Sequence, residues 1–412
     1  MRTAEARRKI TMALTCVLLM LSACQSNIPN STPAPTSPGG FTNSPKTASP
    51  AVIDAEVVIQ AGIQKTLDDY NSGLEKNDKS FFMSAIDPGN QTLWSFADQN
   101  FDYMENTVFM LTSKLGMKVA QIKVLPQGLV LATITRDRDG SIANWYFRKV
   151  DDRWVLSEPT LEESGSPQTV KDGNYTFMTY PIAGDLNAKY VYLMEKARAH
   201  VQKDLGKAPD SKIKISVFPA ALMSPYATGD LSGWKINPAV EGTDDIYILT
   251  PTTYFFGFYD PKAGWEPDIE MLLTHELARI AYVRSFGNPG QGVDWLFEGL
   301  AEYVAGYNEM PAVKAAMEED RIIPILDPSE KKVDLAHFDN VENRVLAYGL
   351  AESLVTFIAE QYGGLDTFWD LANSHDKTQD IKESIQETLG VSYNEFDTAW
   401  RTWLKEEYIK RE

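Results

Sequence analysis

The sequence predicts an α+β protein in two folded parts, the second ending in a mostly helical half. Three observations carry this. Helix-period apolar residues precede a run of alternating strands between 51 and 160. Strands and a long amphipathic helix alternate from 174 to about 250. Beyond that point the pattern is helical to the end of the chain, and no fixed-period repeat is visible.

Length and charge set the frame. A chain of 412 residues suits two domains, and 43% apolar residues are enough to build two cores. The net charge of -18, from 57 acids against 39 bases, argues against nucleic-acid binding, which needs a basic face. It suits a soluble, self-repelling surface protein.

The first residues read as an address. Arg2, Arg7, Arg8 and Lys9 form a basic start, and Met12 to Leu21 a short apolar core. Leu21-Ser22-Ala23-Cys24 resembles the bacterial lipobox. That resemblance implies a signal peptide over 1–23, cleavage before Cys24, and lipid attached to its thiol. The expected location is the outer side of a bacterial cell membrane. The other reading is an ordinary secretory signal with an incidental cysteine. Cys16 would leave with the signal, so no disulfide or free thiolate is expected in the mature chain. Residues 24–50 carry six prolines and little apolar surface, as a disordered tether does. At about 3 Å per residue it reaches roughly 80 Å.

From 51 to 160 the order is helix first, strands after. Ile59, Ile63, Leu67, Tyr70 and Leu74 recur at helical spacing, and a less regular segment follows from Phe81 to Leu111. Val119–Leu125, Leu129–Thr135, Asn144–Val150 and Trp154–Leu156 read as strands. Asp139-Gly140 predicts a two-residue hairpin turn and Asp151-Asp152 another. The element order and the Trp145–Trp154 hairpin resemble the cone-shaped α+β fold of nuclear-transport-factor-like domains. Trp94, Trp145 and Trp154 suit either a ligand cage or an aromatic core, and cross-strand pairing favours the core.

Residues 161–174 read as the domain boundary. Strands are expected at Tyr175–Tyr180, Ile213–Val217 and Asp245–Thr250, with a helix carrying Leu186, Tyr190, Leu193, Ala197 and Val201. A helix is expected around 271–280, opened by Pro267 with Asp268 and Glu270 in its first turn and closed by Gly287 and Pro289. Val345–Tyr362 predicts another, stopped by Gly363-Gly364, then shorter helices at Leu365–Leu371 and Ile381–Leu389. Ser392 and Glu395 predict a capping box before the stripe Phe396, Ala399, Trp400 and Trp403.

Chemistry concentrates in His275-Glu276-Leu-Ala-Arg279 and Trp295-Leu-Phe-Glu298-Gly-Leu-Ala-Glu302. Positions 275 and 279 share one helix face. A His-Glu-x-x-His helix holds zinc with two imidazoles while the Glu activates the bound water. Here the second His is Arg279. Residues 174–412 resemble the gluzincin superfamily of zinc peptidases, in particular the peptidase-MA-like group. The eighteen residues between Arg279 and Glu298 match the aminopeptidase-N-like branch. Ala347–Gly363 resembles the next helix of that family.

The resemblance implies zinc held by His275 and Glu298, with Glu276 as general base. Tyr348 would stabilise the oxyanion or simply pack the helix interface. Glu302 would orient a ligand or be a solvated helix carboxylate. It also implies that the strand at Asp245–Thr250 forms the edge on which an extended peptide lies. Arg279 departs from all this by removing a neutral donor and adding a permanent cation. Its expected partners are Glu298 and Glu276, with no metal where it occupies the site. The remaining imidazoles are His200, on an amphipathic helix far upstream, His375, in a polar Asn-Ser-His-Asp turn, and His337, and only His337 is expected near the cleft. Two functions follow: an impaired metallopeptidase fold that binds peptide or protein, or a live zinc peptidase with a non-standard ligand. A third is ligand binding by the 51–160 domain.

Overall fold

Four antiparallel strands form the first sheet: β1 (Met117–Val124), β2 (Val130–Arg136), β3 (Ile142–Val150) and β4 (Arg153–Ser157), in the order β1-β2-β3-β4. The computed structural model describes residues 50–98, 101, 116–184, 186–209, 212–223, 245–287, 293–307, 310–318, 341–406 and 410. The expected signal peptide, residues 24–49 of the tether with Cys24, residues 102–111 and His337 lie outside the described residues.

Helix α1 (Pro50–Glu75) covers the sheet, burying Ile63, Leu67, Tyr70 and Leu74 against Ala132, Ile134, Trp145 and Phe147. Asn77, in the left-handed region, turns the chain into α2 (Lys79–Met83), capped by Asp78 accepting from the Phe81 N–H. Both sheet edges are blunted. Gln64 bonds the Met117 carbonyl and the Val119 N–H beside the β1 bulge, and Gln60 bonds the Val119 carbonyl. On the other edge β4 is met by Ala85 and Asp87 through the Leu156 backbone. Unpaired strand edges template aggregation, so this covering matters.

The Asp151-Asp152 turn is as expected, with both residues at positive φ (44° and 65°). The Asp139-Gly140 turn is longer than two residues. Arg136 N–H bonds the Ser141 carbonyl because the Asp139 carboxylate gathers the Ser141 N–H, its hydroxyl and the Arg136 guanidinium inside the loop. Trp145 lies in the core beside Tyr254 and Phe258, and Trp94 and Trp154 pack against it.

The second sheet has the order β5 (Gln168–Asp172), β6 (Tyr175–Thr179), β7 (Ile213–Phe218), β8 (Asp245–Leu249). β5 and β6 form an antiparallel hairpin, and β6, β7 and β8 are parallel. Helix α3 (Asn187–Leu205) makes the β6-to-β7 crossover that a parallel pair requires. The segment read as a boundary therefore contains a capped helical turn, Leu161–Ser164, and strand β5. All five β5 side chains are exposed, so no apolar alternation marks the strand in the sequence.

Helices α4 (Glu266–Phe286), α5 (Trp295–Ala305), α6 (Met310–Glu318), α7 (Val341–Gln361), α8 (Leu365–Thr378), α9 (Ile381–Leu389) and α10 (Tyr393–Glu406) complete the fold. They share one core with the second sheet, in which Trp295, Leu300, Leu354, Phe368, Phe396 and Trp400 are fully enclosed. The Ser392–Glu395 capping box is present. α8 is longer than expected. Phe368, Leu371, Ala372 and His375 fall on one buried stripe, so His375 is helical and enclosed rather than in a polar turn. Gln379 (φ 54°) and the Asp380 cap of α9 end it.

Candidate functional site

α4 and α5 lie side by side and supply the site. α4 begins at Glu266 with Pro267 and Asp268 in its first turn and stops at Gly287 (φ 76°). Its face carrying His275, Glu276 and Arg279 is buried against α5. Glu298 and Glu302 stand one turn apart on α5 and are also buried. Gly299 permits a close approach to α7: a Cβ there would sit 2.4 Å from the Ala351 carbonyl oxygen.

The five charged side chains form one cluster. Arg279 Nη1 lies 3.3 Å from Glu276 Oε2, and Nη2 lies 3.3 Å from Glu298 Oε1. His275 Nε2 is 3.3 Å from Glu298 Oε2, and Nδ1 is 3.1 Å from Glu302 Oε1. These are ion-pair distances, longer than well-aligned charge-assisted hydrogen bonds. The Arg279 guanidinium also lies over the Phe297 ring, 5.1 Å from its centre.

Arg279 and His275 are 7% and 8% exposed and Glu276 is 1%, so these pairs are desolvated. Burial alone would lower the His275 pKa, but bonding to Glu298 and Glu302 and the charges of Glu302 and Glu276 raise it to about 10. Burial raises the Glu276 pKa, against the opposing pull of Arg279 and His275. The guanidinium is opposed by burial too, yet Glu298 and Glu276 push its pKa above the usual value. The arrangement is a buried ionic network of two bases and three carboxylates.

The cleft residues expected from the sequence are thus placed, while Cys24 lies outside the described residues. His275, Glu276, Arg279, Glu298 and Glu302 come together. Tyr348, on α7, is half-buried with its ring 6.5 Å from that of His275. Glu302 is buried against His275, which removes the solvated-carboxylate reading. Two neighbours were not anticipated. Phe297 floors the guanidinium, and Tyr307 meets the His275 ring edge-on at 5.8 Å. Phe297 directly precedes Glu298, while Tyr307 lies beyond the helix-ending Gly306 (φ 74°), where helical spacing no longer predicts direction.

His200 pairs with Asp204 on α3, and His375 lies on α8. Among the described residues, no group of three His, Cys, Asp or Glu side chains is placed to hold a metal ion. No helix of the described residues is long and apolar enough to cross a membrane. Comparison of the chain with protein-family models, curated proteins and solved structures gives no match.

Proposed function

We propose that this chain is a cell-surface lipoprotein, tethered through Cys24, whose peptidase-MA-like region is a catalytically impaired binder of extended peptide or protein. One observation carries the reading: the Arg279 guanidinium bridges Glu276 and Glu298. In a working gluzincin site those carboxylates would serve a metal-bound water and the metal itself. The residues present do not suit that ion. The second imidazole is absent, and a cation that never deprotonates contacts the would-be base and the would-be ligand. Buried carboxylates need a partner, and Arg279 supplies it without metal.

Binding would use the sheet. β8 ends the strand order next to the site helices in sequence, which supports strand addition by an extended chain. The experiment is a cleavage and binding assay of full-length protein against a library of unstructured peptides, with and without chelator. The expected result is retained binding and no chelator-sensitive cleavage. Chelator-sensitive cleavage would overturn the reading in favour of a zinc peptidase using His275, Glu298 and a non-standard ligand, with Glu276 as base.

A further inference from the structure

The segment leading into the site helix is seated in the other core. Residues 253–259 lie between β8 and α4; Phe256 packs against the core of the helices, yet Phe255 and Phe258 belong to the core of the first sheet. Phe255 packs edge-on to Phe96 at 4.8 Å. Trp145 of β3 holds Tyr254 at 5.1 Å and Phe258 at 5.3 Å. The Tyr254 and Tyr70 hydroxyls share a hydrogen bond of 2.8 Å. Tyr259 pairs with Ile142 by two backbone bonds of 2.9 Å, an added antiparallel bridge on the stretch of β3 that β4 does not reach. Its hydroxyl accepts from the Asn144 amide at 2.6 Å.

Little slack separates this seat from the site. After Tyr259 the chain makes one tight turn, with Gly264 N–H donating to the Asp260 carbonyl and Gly264 at φ 77°. Trp265 then packs on Tyr190, the rings 5.8 Å apart and tilted by 36°, and α4 begins at Glu266. Nine residues later comes His275. At about 1.5 Å per residue that is roughly 13 Å of continuous helix, stiff enough to carry a shift at its start to His275 and Arg279.

We propose that the 51–160 region is an internal effector of the site: through the strap of residues 253–259 it sets the position and stability of α4. The coupling element is the strap, whose Tyr254, Phe255 and Phe258 side chains must leave the first core for α4 to move independently. A change in that core, including a partner bound to it, would then act on the Arg279 cluster where it alters the seat of the strap. The inference holds whichever cation sits between Glu276 and Glu298, so its failure leaves the proposed function untouched.

The test is native-state hydrogen exchange on the full-length protein, reading the α4 amides of residues 270–279. Tyr70→Phe and Tyr259→Phe each remove one strap hydrogen bond and keep the ring. Thr66→Val is the control, because the Thr66 hydroxyl bonds the Trp154 carbonyl (2.5 Å) within the same region without touching the strap. The expected result is about fivefold faster exchange of those amides in both strap variants, as loss of one buried hydrogen bond gives, and wild-type exchange in the control. Unchanged α4 exchange in the strap variants, or an equal rise in the control, would overturn the proposal.

Discussion

Arg279 reaches across from α4 to Glu298 on α5 and, from the same guanidinium, to Glu276 on its own helix, at 3.3 Å in each case. The two carboxylates are buried, so their charge is balanced inside the fold and not by water. Removing one partner of such a network strands a desolvated charge, which costs about 3–5 kcal/mol. Arg279→Met is therefore expected to lower unfolding stability by about that amount in urea denaturation. A change within about 0.5 kcal/mol would mean that the carboxylates are neutralised by something other than the guanidinium.

Gly299 gives a separate check on the architecture of the site. Its missing side chain lets α5 approach the Ala351 backbone, where any Cβ would collide. Gly299→Ala must push α5 and α7 apart, displacing Glu298 and Glu302 with the helix. The expected cost is about 1–3 kcal/mol in thermal unfolding, although alanine is the better helix former. A stabilising effect would contradict the packing described.

Glu158 predicts a pH dependence. It is enclosed where the first sheet meets the loop after β7. One carboxylate oxygen accepts from the Ala221 N–H at 2.9 Å, and the other has no hydrogen-bond partner among the described residues. Burial raises its pKa to about 8, only partly opposed by the Ala221 N–H. The folded state therefore keeps a proton that the unfolded state releases near the ordinary carboxylate value. Its contribution is complete below that value, falls as pH rises and is gone above about 8. Glu158→Gln is expected to flatten this part of the stability–pH curve between about pH 5 and about pH 8, measured by denaturation at several pH values. An unchanged slope in the variant would place the titration elsewhere.

Several features were legible in the sequence because they rest on local rules. The Pro267 start and Gly287 stop bound α4, Ser392 and Glu395 cap α10, and Ile63, Leu67, Tyr70 and Leu74 mark the buried face of α1. The i, i+4 relation brought His275 and Arg279 to one face, and the carboxylates on the following helix met them there. What stayed hidden depends on contacts between distant segments. β5 buries no side chain, so it leaves no pattern. His375 looked polar because its neighbours Ser374 and Asp376 are, yet its own position continues an apolar stripe. The seating of Phe255 and Phe258 in the first core involves partners more than a hundred residues away in the chain, beyond any spacing rule.

The Arg279 guanidinium is the cation between Glu276 and Glu298, and on the proposed function it stands where a metal ion would. The most direct measurement is elemental analysis of zinc in full-length protein purified without chelator, for the wild type and Arg279→His side by side. Well under one zinc per wild-type chain is expected, with a clear rise towards one in the histidine variant. One tightly held zinc per wild-type chain would contradict that reading.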